Sequence, residues 1–221
     1  MLVSTACATT GTSGYSRVPA SPTKVENEIT LDRSFEEAWD RLVKGLAKSF
    51  YVINNIEKSS RIINVSFSTE SPQEFIDCGK SQRTYQRGND QREFVYDIAS
   101  TSSYQLADKG GAYGQFPVTH YLKRATSREG RVNIYVAPEG QKTIVSVNSR
   151  YIFTVRISGI SVTENAFGKP ISQVPIPPAP HSHSFNTNQP NMTDWGPPGN
   201  PEYVTCYSTG KLERDILNLI R

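Results

Sequence analysis

The stretch Ser34-Phe-Glu-Glu-Ala-Trp-Asp-Arg-Leu-Val-Lys-Gly-Leu-Ala-Lys-Ser-Phe50 decides the reading of the fold. Phe35, Ala38, Trp39, Leu42, Val43, Leu46, Ala47 and Phe50 recur at helical spacing on one face, and Glu36, Asp40, Arg41, Lys44 and Lys48 occupy the other. Ser34 followed three residues later by Glu37 is a capping box, which marks the start of an amphipathic helix. Working outward, Val25 to Asp32 alternates like a short strand. Tyr51–Glu57 and Ile62–Ser68 flank Lys58-Ser-Ser-Arg61 as a β-hairpin. The expected fold class is therefore α+β, a mainly antiparallel sheet wrapped around one long N-terminal helix.

Strand signals dominate the rest of the chain. Arg92–Tyr104 and Val118–Ala125 read as extended, separated by the turn-rich Lys109-Gly-Gly-Ala-Tyr-Gly114. Arg131–Ala137, the turn Pro138-Glu-Gly-Gln141 and Thr143–Ile157 form the strongest hairpin. Residues 169 to 201 hold nine of the fourteen prolines and are read as a Pro-rich arm or insertion without regular secondary structure. Val174-Pro-Ile-Pro-Pro-Ala-Pro180 is preorganised for polyproline II. It suits either a docking arm, with Ile176, Phe185 and Trp195 as partner-binding anchors, or a segment laid across its own domain. Glu202–Tyr207 returns as a strand, and Leu212, Ile216, Leu219 and Ile220 mark a short C-terminal helix.

Composition bounds the function. The 221 residues carry 24 basic and 21 acidic side chains, a net charge of +3, which gives no one-signed field for nucleic acid. The runs Lys80, Arg83, Arg87, Arg92 and Lys123, Arg124, Arg128, Arg131 are interrupted by Asp90, Glu93 and Glu129 and read as solvated faces. No apolar run reaches the roughly 18 residues of a spanning helix.

The three cysteines have no zinc-site spacing. Small residues before Cys7 look like the end of a bacterial lipoprotein signal, with Cys7 as the lipidated residue. Residues 1–6 are then a signal-peptide remnant and 7–24 a Ser/Thr/Gly/Pro-rich flexible tether. A cytosolic N-terminus with an incidental cysteine is the alternative. With Cys7 acylated, Cys78 and Cys206 are left either as a disulfide in an oxidising compartment or as two separate buried thiols. The organisation that follows is one α+β domain over 25–168, the Pro-rich segment 169–201, and 202–221 as the returning strand and C-terminal helix of the same domain.

Chemistry-bearing motifs are sparse. His181 and His183 at i, i+2 lack further ligands for a metal, and His120 in a strand suits a structural role. Gly110–Gly114 does not follow phosphate-loop spacing. No catalytic residue, metal or cofactor is assigned.

The Trp-containing helix Ser34–Leu46, followed by Tyr51-Val-Ile-Asn-Asn55 and Arg61-Ile-Ile-Asn-Val-Ser-Phe67, resembles the helix-grip domains of bacterial envelope lipoproteins. The type it is most similar to is lipoprotein component C of the outer-membrane β-barrel assembly machinery, over residues 25–67. That resemblance implies a non-enzymatic envelope component; together with a lipidated Cys7, the expectation is a module anchored on the periplasmic face of the outer membrane, serving an assembly or secretion complex through a protein partner. Two other classes stay open: a periplasmic enzyme or small-ligand-binding protein with a cleft near the Pro-rich segment using His120, His181 or His183, and a soluble cytosolic structural domain.

Overall fold

The structure, a computed structural model, describes residues 11–108, 116–165, 168–194 and 203–221. Thirteen strands and two helices are assigned among them: β1 (Gly11–Val18), β2 (Glu28–Leu31), α1 (Phe35–Ala47), β3 (Val52–Glu57), β4 (Ile62–Thr69), β5 (Ile76–Asp77), β6 (Lys80–Arg87), β7 (Asp90–Asp97), β8 (Ser102–Ala107), β9 (Val118–Glu139), β10 (Lys142–Glu164), β11 (Pro170–Asn186), β12 (Asn191–Asp194), β13 (Tyr203–Ser208) and α2 (Lys211–Asn218). They form three sheets, ordered β1-β6-β7, β11-β10-β9-β4-β3 with β2 on β10 and β8 on β9, and β12-β13-β5.

The expected architecture of a sheet wrapped around one long N-terminal helix is corrected. The chain is mostly antiparallel sheet, and its helices have 13 and 8 residues. The hairpin β9–β10 is what the sequence reading underestimated, since its arms run 22 and 23 residues. Its two-residue turn places Gly140 at φ 62°, the left-handed conformation a tight hairpin turn needs. Over residues 122–136 of β9, buried or half-buried positions alternate with more exposed ones, so a single register carries through what reads as a break at Ser127-Arg-Glu-Gly130.

Helix α1 begins as its cap dictates, with Ser34 accepting from the Glu37 backbone N–H at 3.3 Å. It buries Ala38, Trp39, Leu42 and Leu46, but it stops at Ala47, and Phe50 beyond it is 71% exposed.

Where the sequence reading expected one domain over 25–168, joined by 202–221, the chain divides into two compact units of discontinuous sequence. Among the described residues, one comprises 11–18, 79–108, 116–126, 155–165 and 168–181; the other comprises 19–78, 127–154, 182–194 and 203–221. Strands β9, β10 and β11 contribute residues to both. Within the first unit, β1 pairs with β6 in register from Gly11↔Arg87 to Val18↔Lys80. Part of the segment read as a flexible tether is therefore an ordered strand. Ser13 fixes it further: its Oγ donates to the Ala107 carbonyl at 3.2 Å and accepts from the Ala107 N–H at 2.7 Å. Arginine and tyrosine stack through this unit, the Arg83 guanidinium lying 4.6 Å from the Tyr15 ring and 4.7 Å from Tyr104, which stacks on Tyr96.

In the second unit, β4, β9 and β10 present Ile63, Val65, Val132, Ile134, Val136, Val145 and Val147 to a core shared with Leu212, Ile216, Leu217 and Ile220 of the C-terminal segment. Gly130 of β9 admits α2 closely: a Cβ there would stand 3.5 Å from a Leu212 methyl and 3.0 Å from Arg128 Nη1. Cys78 and Cys206 form a disulfide next to the pairing of β13 with β5.

The Pro-rich segment also departs from expectation. Residues 170–186 form β11 rather than irregular chain. Proline has no N–H to donate, so it suits a strand only where one side of the ladder is unpaired, and β11 is the terminal strand of its sheet.

Candidate functional site

On the second unit the middle strand β4 carries short residues, Ser66 and Ser68, on the sheet face that its neighbours line with longer ones. Ser66 pairs with Arg131 and Val52, Ser68 with Glu129, and Asn64 with Asn133. The result is a groove of about 590 Å³ lined by Val52, Asn54, Asn64, Ser66, Arg131 and Asn133 among others. A register shift between Ile53 and Asn55 sets Asn54 off the ladder at the rim, where its Oδ1 accepts from Ser66 Oγ at 3.4 Å. Asn64 Nδ2 donates to Asn133 Oδ1 at 2.6 Å. One amide bond per pair leaves the other amide groups facing solvent, and Arg131 and Glu129 cancel in charge. Such a face suits recognition of a polar, near-neutral surface.

Behind that sheet lies a buried polar cluster, also within the second unit. Glu213 of α2 is wholly buried and accepts from Tyr151 Oη at 2.7 Å, Thr187 Oγ1 at 2.6 Å and Ser208 Oγ at 3.1 Å. Burial first, and the Glu213 carboxylate second, push the Tyr151 phenol far above its ordinary range.

Arg128 is 1% exposed and, among the described residues, has no hydrogen-bond partner at any guanidinium nitrogen. It is enclosed instead by Phe75, Phe67 and Tyr151, with ring centroids 4.4, 4.8 and 5.1 Å from its Cζ. Burial pulls its pKa down to about 10, with Tyr151, Glu213 and Tyr51 opposing. The aromatic faces take the place of hydrogen bonds for this cation. The cluster ties α2, β9, β10 and β13 together and reads as a structural keystone.

These findings redistribute the residues singled out by sequence. Phe185, expected as a docking anchor, is 3% exposed and stacks on Tyr151 at 5.0 Å, so it belongs to the core. Ile176 is half-buried on β11. Cys7 and Trp195 lie outside the described residues, as does the Gly110–Gly114 loop. His183 is 4% exposed, its ring 3.0 Å from the Asn191 carbonyl, whereas His181 is exposed. Among the described residues no group of three His, Cys, Asp or Glu side chains could hold a metal.

Arg124 and Arg128, read as part of a solvated face, are buried. Counting back in twos from the apolar Val132 on β9 reaches Gly130, Arg128, Thr126 and Arg124, and that register was the available signal. The groove had none, because it depends on which strands neighbour β4.

Comparison with protein-family models, with curated proteins and with solved structures returned no match.

Proposed function

We propose that this protein is a binding or assembly module of a bacterial cell envelope, held at the periplasmic face of the outer membrane by a lipid on Cys7, and that it acts by holding a protein partner rather than by turnover. The observation that carries this reading is the Cys78–Cys206 disulfide, a bond that persists in oxidising compartments such as the periplasm. The open amide- and hydroxyl-lined groove supports it as a place for a partner to rest, and the resemblance of residues 25–67 to envelope lipoproteins agrees with it.

The test is the intact mass of the native protein taken from the membrane fraction without reductant. The reading expects a chain beginning at Cys7, carrying a diacylglyceryl group and an acyl chain, and lighter by the hydrogens lost in one disulfide. A soluble, unmodified protein with all thiols free overturns it.

A further inference from the structure

On the first unit, β8, β9 and β10 bring together three side chains that sequence spacing does not relate. His120 of β9 has Nδ1 2.8 Å from Ser161 Oγ of β10, and its Nε2 is 3.2 Å from Oδ1 of Asp108, the residue that follows β8. A carboxylate only accepts, so Nε2 carries the imidazole proton and Nδ1 is left as the acceptor for the serine hydroxyl. The order is therefore hydroxyl, base and orienting carboxylate, each within hydrogen-bond reach of the next. Ser161 is half-buried and the His120 side chain 25% exposed, so neither is sealed in the core.

We propose that Ser161 is a base-activated nucleophile that takes up an acyl group from an activated ester. As Ser161 Oγ attacks the ester carbonyl carbon, its proton passes to His120 Nδ1, and the tetrahedral adduct collapses by breaking the bond to the alkoxy or aryloxy group. The leaving oxygen departs as the anion or takes the proton back from Nδ1, so one acyl–serine bond forms and one ester bond breaks. Asp108 is a positioning residue that holds the imidazole in the productive tautomer. Its side chain is 61% exposed, so that hold is a weak one.

The same placement predicts that the reaction stops there. Ser161 lies inside β10, which the sheet order places between β9 and β11, and strand pairing draws on backbone N–H groups. With strand N–H groups engaged in pairing, no preorganised pair of donors is expected for the oxyanion, so that acylation proceeds once and deacylation is slow. A single covalent uptake is compatible with a module that does not turn substrate over, and the proposal stands independently of that reading.

The experiment treats the full-length protein with p-nitrophenyl acetate and, separately, with a fluorophosphonate, and locates the adducts by peptide mass. General-base assistance is worth about 10²–10⁴-fold. Ser161 should therefore outreact exposed serines such as Ser16 and Ser103 by about 100-fold or more. The Ser161 adduct should vanish in Ser161→Ala and form about 100-fold more slowly in His120→Gln. Asp108→Ala should slow it severalfold, with Asp108→Glu restoring the rate.

Label spread evenly over the exposed serines, or a rate at Ser161 unchanged in His120→Gln, overturns the proposal. If His120→Gln does not fold, the distribution of adduct among the serines of the unaltered protein decides the question by itself.

Discussion

Breaking the Cys78–Cys206 bond is the perturbation with the most calculable effect. The bridge closes a loop of 128 residues. In the chain-entropy relation a loop of that length removes about 17 cal/mol/K from the unfolded ensemble, or about 5 kcal/mol at 25 °C. Both cysteines are fully buried and both belong to the second unit, so the loss should fall on that unit.

Trp39, 4% exposed in α1, is a fluorescent reporter of the second unit once Trp195→Phe removes the other tryptophan. Urea titrations of that variant, oxidised and then reduced, should differ in midpoint by about 2.5 M for a urea slope of about 2 kcal/mol/M. A Cys78→Ala, Cys206→Ala double variant should track the reduced protein. A midpoint shift under about 0.5 M refutes the reasoning, because it means that the reduced chain is already restrained by other contacts.

Three further outcomes follow from the second unit. Glu213→Ala leaves the hydroxyls of Tyr151, Thr187 and Ser208 without their shared acceptor, and the urea midpoint should record a loss of about 3–5 kcal/mol; a loss below about 1 kcal/mol removes the keystone role. Phe185→Ala should cost about 3–5 kcal/mol by the same urea assay because its buried ring packs on Tyr151; a loss below about 1 kcal/mol would take Phe185 out of the core.

Burial holds His183 below its ordinary 6.5, with the bond to the Asn191 carbonyl opposing, so the unfolded chain takes up a proton first as pH falls. Stability should therefore drop as pH falls below about 6.5 and be insensitive to this group above it. Comparing denaturation midpoints at pH 7 and pH 5 should show a smaller acid loss in His183→Gln than in the unaltered protein.

Local signals were legible where local physics decides the structure. Ser34 and Glu37 marked the start of α1, and Gly140 marked the turn of the long hairpin, because a cap and a tight turn are set by residues a few positions apart. Other features depend on distant neighbours. Pro175, Pro177, Pro178 and Pro180 forbid an interior strand but not a terminal one, and only the sheet order shows that β11 is terminal. Gly11–Val18 has the composition of a tether, yet β6 offers it a partner along all eight residues.

Phe185 sits among prolines and histidines that suggest exposure, although Tyr151, 34 positions earlier, buries it. Of the candidate nucleophile and its partners, only His120 drew attention in sequence; Ser161 lies 41 residues away from it, and the strand pairing alone brings them together. The groove is a matter of the short residues of β4 standing between the longer ones of β3 and β9, a pattern that exists only across strands.

The central claim is an envelope module in an oxidising compartment, and the most direct measurement is thiol trapping in intact cells. Alkylating the cells before lysis and mapping the peptides should find Cys78 and Cys206 unmodified, with both becoming reactive only after reduction of the denatured protein. Recovery of both cysteines alkylated without any reductant would contradict the account.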